Sequence, residues 1–453
     1  MDENKLLDFD YKQAHNSPII KVIGVGGGGG NAVENMFLRD TVHDVSFLLC
    51  NTDEQALKKS NVPSQIILGP EITRGLGAGN RPEKARVAAE QSREEIEQIL
   101  SSDGTKMVFI TAGMGGGTGT GAGPVIGRVA LDMGLLTVGI VTIPFLFEGR
   151  NKILQALKGV QEMRKNVDAL LVVNNERLRV IYKDLTLDNA FDKADDTLSS
   201  AARGISDMIT RPGRINLDFA DVQTTLKDGG VAIISTGYGS GENRMQKAID
   251  EALNSPLLNN NDIFKARKVL INIYQSSDHP LDVNELDPIH EFTAKIETGF
   301  DNIWGFITDD SLGEQVAITI LASGFDLSIT TESIGDGLTP GKRKLPDAVS
   351  QQEEMRRTEQ ENELIGNYYG QDQLEKKIFK PLLLNIDELD DNDIIAIMEE
   401  TPSLMRDPRP IEEIRMRKQN TISHNHPTTI TGGDFDKNSN DSPSSTNKQP
   451  IRF

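Results

Sequence analysis

The stretch GMGGGTGTG at residues 113–121 decides the fold of this chain, because it follows the apolar run MVFIT at residues 107–111. A similar pair occurs earlier, where GVGGGGGN at residues 24–31 follows IIKVI at residues 19–23. Glycine adopts backbone angles that other residues avoid, and it lets backbone N–H groups approach a bulky anion. A helix that begins after such a turn adds the positive end of its dipole. The two stretches together predict a polyphosphate held by backbone N–H groups from two turns.

The first glycine-rich stretch, taken alone, leaves two alternatives open. Gly24, Gly26 and Gly29 fit the spacing G-x-G-x-x-G, which indicates an NAD site with Asp53 as the acid that binds the ribose. The stretch is also compatible with a simple tight turn between a strand and a helix. A dinucleotide fold needs only one glycine turn, so the second stretch disfavours a monomeric NAD-binding oxidoreductase. The sequence lacks G-x-x-x-x-G-K-[ST], which excludes a P-loop.

The composition limits the class of protein. A length of 453 residues predicts two domains with tails. The formal net charge of −20 disfavours binding to nucleic acid and adhesion to anionic lipid. The single cysteine, Cys50, ends an apolar run and is expected to be buried in a protein of a reducing compartment. The acidic start of the chain and the short apolar stretch at 135–147 predict a cytoplasmic protein without direct membrane insertion.

Alternating apolar runs and helical patterns predict an α/β fold with a Rossmann-like, mainly parallel sheet and helices on both faces. Strands are predicted at 19–24, 45–50, 65–68, 107–111, 136–143 and 169–173. Helices are predicted at 31–39, 82–100, 119–133 and 152–166. A helical pattern at about 188–210, ended by Arg211-Pro212-Gly213, predicts a central connecting helix. A second, smaller α/β unit follows, with strands at 231–236, 269–274, 303–308 and 315–321 and helices at 242–254 and 283–296.

Four motifs, which occur in this order, resemble those of the tubulin/FtsZ family of GTPases. They are residues 26–33, the stretch at 113–121, PFLFEG at 144–149 and NLDFAD at 216–221. The resemblance covers about residues 17 to 328. It implies a self-assembling GTPase that forms the cytokinetic ring at the mid-cell site of bacterial division. It also implies that GTP is hydrolysed to GDP between head-to-tail subunits, with Mg²⁺ as a cofactor.

The resemblance assigns the nucleotide contacts to three groups of residues. The phosphate contacts are Gly27, Gly28, Gly29, Gly30, Asn31, Asn51, Asp53, Gly116, Gly117, Thr118, Gly119 and Thr120. The sugar contacts are Glu148 and Lys152, and the lysine keeps the charge of the family's usual arginine without its bidentate fork. The base contacts are Asn175, Phe191 and Asp195. The Asp195 carboxylate can accept hydrogen bonds from N1–H and the 2-amino group of guanine, and it would be poorly paired against adenine.

Catalysis is assigned by the same resemblance to a loop that, in the family, projects into the nucleotide pocket of the next subunit. Its residues are Asn216, Asp218 and Asp221, and the acids position the attacking water. The loop also has an ordinary structural interpretation, in which Asp218 caps a helix. Glu148 and Lys152 likewise fit an ion pair on a helix surface. A structural polymer that binds nucleotide without turnover is a further alternative, which the presence of these acids disfavours.

Three further segments complete the predicted organisation. Residues 75–80 resemble the family's γ-phosphate-sensing loop and equally fit a flexible surface turn. Residues 390–406 resemble the peptide through which the family binds membrane-anchoring and regulatory division proteins. The predicted divisions are an N-terminal arm at 1–16, a nucleotide-binding domain at 17–187, the central helix at 188–211, a C-terminal α/β domain with the catalytic loop at 212–329, a flexible linker at 330–389, the docking peptide at 390–406 and a disordered tail at 407–453.

Overall fold

The computed structural model describes residues 18–40, 42–182, 186–255, 263–296, 301–325, 348–370, 383–384, 390–400, 411, 414–416 and 451–452. These residues belong to two compact units, Met1–Gln371 and Asp372–Phe453. Both glycine turns and the predicted catalytic loop belong to the first unit. The predicted N-terminal arm lies outside the described residues.

Ten strands of the first unit, numbered along the chain, form one sheet. They are β1 (Ile20–Val25), β2 (Val45–Asn51), β3 (Gln65–Ile67), β4 (Met107–Gly113), β5 (Leu136–Ile143), β6 (Ala169–Asn174), β7 (Gly230–Gly239), β8 (Lys268–Gln275), β9 (Asp301–Thr308) and β10 (Val316–Ser323). Their order is β3-β2-β1-β4-β5-β6-β7-β10-β8-β9. Neighbours are parallel except that β10 is antiparallel to both β7 and β8. The predicted, mainly parallel sheet is confirmed.

Helices cover both faces of the sheet, which explains why the strands are nearly continuous apolar runs. All six residues of β1 and all eight residues of β10 are buried. Cys50, in β2, is buried as expected, and burial raises the pKa of its thiol. The described helices of the first unit are α1 (Gly26–Leu38), α2 (Glu54–Lys59), α3 (Pro70–Thr73), α4 (Pro82–Gln91), α5 (Arg93–Ser101), α6 (Thr118–Asp132), α7 (Arg150–Arg164), α8 (Asn175–Ile181), α9 (Leu187–Thr210), α10 (Phe219–Leu226), α11 (Arg244–Leu253), α12 (Asp287–Ala294) and α13 (Ala348–Tyr369).

The contact between β6 and β7 is short. Within the described residues it consists of two residue pairs, Ala169 with Gly230 and Leu170 with Val231. The helix α9, which runs from one half of the molecule to the other, is 24 residues long and packs against β5, β6 and β7. The prediction of a central connecting helix is therefore confirmed, and its observed start at Leu187 is one residue earlier than expected.

The predicted helices differ from the structure in their limits, and two of these differences have a clear physical cause. The helix predicted to start at residue 31 starts at Gly26, so the glycines form its first turn. Glycine is required there because a Cβ on Gly29 would lie 2.1 Å from the Thr111 carbonyl oxygen of β4. The helix predicted at 82–100 is divided at Ser92, whose hydroxyl accepts a hydrogen bond from the Gly69 N–H at 3.0 Å.

The prediction of a flexible linker at 330–389 is wrong over the helix α13. Its C-terminal half packs against α7, and Leu364, Ile365 and Tyr369 are buried. These apolar side chains supply the anchors that the polar composition of the segment conceals. Residues 326–347, which connect α13 to β10, lie outside the described residues.

The second unit contains α14 (Asn392–Glu400) and a strand pair, β11 (Leu383–Leu384) with β12 (Ile451–Arg452). The helix start predicted at residues 390–393 is present, since the Asp393 N–H bonds to the Asp391 carboxylate at 3.1 Å. Ile394 is buried with Ile411. Residues 401–406 of the predicted docking peptide lie outside the described residues. No described helix is both long and apolar enough to cross a bilayer.

Candidate functional site

The first glycine turn connects β1 directly to α1. Gly26 has φ 72°, a left-handed conformation that favours glycine, and no side chain caps the helix among the described residues. An α-helix bonds each N–H to the carbonyl four residues back, so the amides of Gly26, Gly27 and Gly28 are the ones not used inside the helix. The amides of Gly29, Gly30 and Asn31 are used there. The backbone amides left for an anion at this turn are therefore those of Gly26, Gly27 and Gly28.

The second glycine turn connects β4 to α6 in the same way. Gly115 has φ 101°, and the described residues again supply no side-chain cap at the start of the helix. The first turn of α6 leaves the amides of Thr118, Gly119 and Thr120 outside the helical ladder. The Thr120 hydroxyl accepts a hydrogen bond from the Gly115 N–H at 2.9 Å, so this predicted phosphate contact stabilises the turn itself.

The two turns are packed directly against each other. A Cβ on Gly26 would lie 2.9 Å from the Gly119 nitrogen, and one on Gly28 would lie 3.4 Å from the Gly113 Cα. Two helix N-termini without side-chain caps therefore converge at the carboxyl ends of the adjacent parallel strands β1 and β4. Their amides and dipoles both favour an anion at this point. This is the site geometry that the two sequence stretches predict.

The residues after β2 border the same point. The hydroxyls of Thr52 and Thr118 are hydrogen-bonded at 2.7 Å. Asp53 caps α2 by accepting hydrogen bonds from two backbone N–H groups, and its own N–H bonds to the side chain of the buried Asn51. Asn51 and Asp53 thus shape the turn beside the phosphate position. The sequence interpretation included these residues without foreseeing that both side chains are engaged in the protein.

The segment 75–80 contacts both the residues that follow β2 and the second glycine turn. The Gly77 N–H donates to the Thr52 carbonyl oxygen at 2.9 Å. A Cβ on Gly117 would lie 2.9 Å from the Cβ of Ala78. The side chain of Leu76 is 78% exposed, so this segment presents an apolar group outward next to the phosphate position.

Glu148 and Lys152 form the ion pair that their spacing permits, at the start of α7. The other oxygen of Glu148 accepts a hydrogen bond from the Phe145 N–H at 2.8 Å. A Cβ on Gly115 would lie 3.0 Å from the Lys152 carbonyl oxygen, so this pair borders the second glycine turn. The residues predicted to bind the sugar and the phosphates are therefore neighbours.

The predicted base residues continue this chain of contacts. The Phe191 ring meets the Phe145 ring edge to face, with centroids 5.4 Å apart, and remains 43% exposed. Asp195 lies one helical turn farther along α9. Asn175 begins α8, which packs against α9, and its buried Oδ1 has no hydrogen-bond partner in the described part of the chain. An unpaired buried acceptor is costly, so a ligand that donates to it is favoured.

Asp195 has an unusual electrostatic environment. Burial, followed by the neighbouring carboxylates of Asp192 and Asp196, raises the pKa of its carboxyl to about 7, and Arg39 opposes this shift. A pair of hydrogen-bond donors from a ligand would stabilise the charged form and reverse part of this shift. The sequence carried no signal of this effect, because it depends on burial.

The predicted catalytic residues form a compact loop before α10. The Asp218 N–H donates to the Asp221 carboxylate at 2.9 Å, and the Asp221 N–H donates to the Asp218 carboxylate at 3.0 Å. This reciprocal pair is a capping box. Asn216 accepts a hydrogen bond from the Gly213 N–H at 2.6 Å. The structural interpretation of Asp218 as a helix cap is confirmed. One oxygen of each carboxylate is outside the capping box, and Asp218 is exposed.

This loop is remote from the glycine turns within one copy of the chain. It follows the C-terminal end of α9, whereas Phe191 lies near the N-terminal end. At about 1.5 Å per residue, Phe191 and Thr210 are roughly 28 Å apart along the helix axis. The phosphate, sugar and base residues are brought together in one copy, and Asn216, Asp218 and Asp221 are not among them.

Sequence reasoning missed two residues that hold the site in place. Phe145 links Glu148 to Phe191, and Glu176 accepts a hydrogen bond from the Leu146 N–H at 3.0 Å while it also pairs with Arg179. The Pro-Phe-Leu-Phe pattern offered a signal for Phe145. The buried position of Glu176 gave no signal in the sequence.

Comparison with known proteins agrees with this geometry. Residues 19–183 match the GTPase domain of the tubulin/FtsZ family, and residues 230–326 match the C-terminal domain of the FtsZ family. The cell division protein FtsZ of Porphyromonas gingivalis is 63% identical over 92% of both chains, and that of Coxiella burnetii is 45% identical over 67% of this chain and 78% of its own. An empty FtsZ dimer from M. jannaschii has a TM-score of 0.62 and 36% identity, with 69% of this chain and 89% of that chain covered. The chain belongs to the tubulin/FtsZ family of GTPases.

Proposed function

We propose that this chain is a self-assembling GTPase of bacterial cell division, and that each GTP is hydrolysed at the contact between two head-to-tail copies. The division of the site over the two ends of α9 is the observation that carries this proposal. The glycine turns are linked by contacts to Phe191, whereas Asp218 and Asp221 follow the other end. A contact between two different surfaces of identical copies propagates as a filament.

The roles of the residues follow from their positions. The amides at the starts of α1 and α6 hold the phosphates, Glu148 accepts from a ribose hydroxyl, and Asp195 accepts from guanine. The free carboxylate oxygens of Asp218 and Asp221 from the next copy orient and polarise the attacking water. Such positioning and proton-accepting groups contribute on the order of 10²–10⁴-fold to a rate. Assembly therefore completes the active site, and hydrolysis to GDP weakens the contact.

The metal in this proposal is Mg²⁺, which enters with the nucleotide. Mg²⁺ prefers oxygen ligands, keeps several waters and is often held by substrate phosphates with one or two protein groups. The Thr52 and Thr118 hydroxyls lie beside the phosphate position and fit this ligand type. Bound Mg²⁺ would neutralise phosphate charge, and the helix N-termini of this chain would orient the phosphates.

The membrane link in this proposal is a partner protein. Residues 390–406 dock to membrane-anchoring and regulatory division proteins at mid-cell, on the cytoplasmic side. The support is the resemblance of this segment to the family's docking peptide. The net charge of −20 disfavours direct adhesion to anionic lipid.

A mixing experiment tests hydrolysis between copies. Asp221→Asn keeps the capping geometry but removes the charge, whereas Gly26→Val blocks the contact between the glycine turns. Each variant alone should hydrolyse GTP very slowly, and their mixture should recover turnover because one supplies bound GTP and the other supplies the acids. If the mixture gives only the sum of the separate rates, the acids do not act between copies.

The family matches give no support to an NAD-binding oxidoreductase.

A further inference from the structure

The C-terminal end of α13 holds the ends of two strands that carry the nucleotide site. The Tyr369 hydroxyl donates a hydrogen bond to the Pro144 carbonyl oxygen at 2.5 Å, just after β5. The Asn174 side-chain amide, at the end of β6, donates to the Tyr368 carbonyl oxygen at 2.7 Å. The residues joined by these two hydrogen bonds are 225 and 194 positions apart in the sequence.

Additional contacts fix the helix along α7. Arg150 bonds to the Asn362 side chain at 2.7 Å and to the Glu361 carboxylate at 3.1 Å. Leu364 and Ile365 are 7% and 2% exposed. The docking of α13 thus combines buried apolar side chains with polar contacts to two strand ends.

The residues that α13 holds adjoin those assigned to the sugar and the base. Pro144 precedes Phe145, whose N–H fixes the Glu148 carboxylate and whose ring contacts Phe191. Asn174 precedes Asn175 and caps α8 by accepting a hydrogen bond from the Glu176 N–H at 3.0 Å. A displacement of either strand end would therefore move a predicted nucleotide contact.

We propose that α13 is a positioning element of the nucleotide site, which holds the sugar and base contacts in place so that its docking and guanine nucleotide binding favour each other. This inference rests on the proposed function. It concerns a segment beyond both family matches, the later of which ends at residue 326. Because linkage is reciprocal, a nucleotide that prefers the docked state must stabilise docking by the same factor.

The chemistry of Tyr369 suits a permanent donor. Burial raises the pKa of its hydroxyl, and the nearby Glu148 and Glu176 carboxylates raise it further. The phenol therefore stays protonated at neutral pH and donates to Pro144. The carboxylates that raise this pKa are the predicted ribose acceptor and the residue that holds the Leu146 N–H, so Tyr369 lies close to both.

The test uses full-length variants and GDP at protein concentrations below assembly. Tyr369→Phe removes only the donor to Pro144, and Ile365→Asp places a charge in the buried face of α13. GDP affinity should fall about two- to tenfold in Tyr369→Phe, the equivalent of one hydrogen bond, and further in Ile365→Asp. The matched control is Glu363→Gln on the exposed side of the same helix, which should bind GDP like the parent chain.

Two readouts separate positioning from simple loss of stability. The preference for GDP over 2′,3′-dideoxy-GDP should shrink in Tyr369→Phe, because Pro144 and the adjacent Phe145, whose N–H holds Glu148 for the ribose hydroxyls, would be positioned less firmly. GDP should also slow amide hydrogen exchange within α13 of the parent chain. The inference would be overturned if Tyr369→Phe kept the full preference for GDP over 2′,3′-dideoxy-GDP. It would also be overturned if GDP did not change the rate of amide hydrogen exchange in α13 of the parent chain. Failure of the parent chain to bind GDP would instead overturn the proposed function.

Discussion

The affinity for GDP should depend on pH through Asp195. Guanine donates two hydrogen bonds to the carboxylate, and the protonated acid loses this acceptor pair. The pKa of the free site is about 7, so the competent form is nearly complete at pH 8.5 and amounts to about 3% at pH 5.5. The raised pKa of Asp195 sets the direction of the pH dependence. The affinity for GDP is constant above this pKa and falls about tenfold for each pH unit below it. We expect roughly 30-fold weaker binding at pH 5.5 than at pH 8.5.

The measurement is competition between GDP and a fluorescent guanine nucleotide at intervals from pH 5.5 to 8.5, below the assembly concentration. The terminal phosphate of GDP titrates in the same range. Asp195→Asn isolates that contribution, because the variant keeps the shape of the side chain and has no carboxyl to titrate. At pH 8.5 the variant should bind GDP about 1.5–3 kcal/mol more weakly than the parent chain, and its preference over ADP should decrease.

The difference between the two pH profiles is therefore the decisive quantity. If Asp195→Asn and the parent chain lose affinity in parallel as the pH falls, the carboxyl of Asp195 does not bind guanine. Calorimetry in buffers of different ionisation enthalpy gives an independent check. The parent chain should release protons from the carboxyl on binding GDP near pH 7, because binding favours the charged form of Asp195.

Three further changes test other parts of the molecule. Asp218→Ser keeps an N-cap oxygen and should reduce turnover about 10²–10⁴-fold with unchanged GDP affinity; retained turnover would mean that Asp218 only caps α10. Gly26→Ala should impair GDP binding because of its positive φ and its contact with Gly119, and unchanged GDP affinity would mean that this contact does not shape the site. Truncation at about Asp387 should preserve GTPase activity and filament pelleting but abolish recruitment to the division site, and membrane-attached rings of the truncated chain would contradict this.

The strands were predictable from the sequence because a parallel sheet covered on both faces requires continuous apolar runs. The strand at 136–143 has the predicted limits in the structure. Helix starts were harder to predict because glycine has low helix propensity, and only the close approach of α1 to β4 explains its helical glycines. The helix α13 was missed because its docking surface lies far away in sequence.

The site was predictable in its residue types but not in its internal bonding. Asp218 was recognised as a possible cap from its spacing to Asp221, and the structure forms that capping box. The engagement of the Thr120 hydroxyl with Gly115 and the raised pKa of Asp195 both depend on burial and tertiary packing. Such effects have no local pattern that a sequence can display.

The short pairing of β6 with β7 has a mechanical consequence for a subunit under load. Six residue pairs join β5 to β6 and eight join β7 to β10, but two join the strands between them. Backbone hydrogen bonds between strands make a sheet stiff. The sheet is therefore stiff on either side of the β6–β7 contact and more easily bent at that contact. We expect bending of the subunit to concentrate there, with α9 acting as the strut that limits it. In a filament of such subunits, elastic bending would then arise mainly at the two residue pairs between β6 and β7.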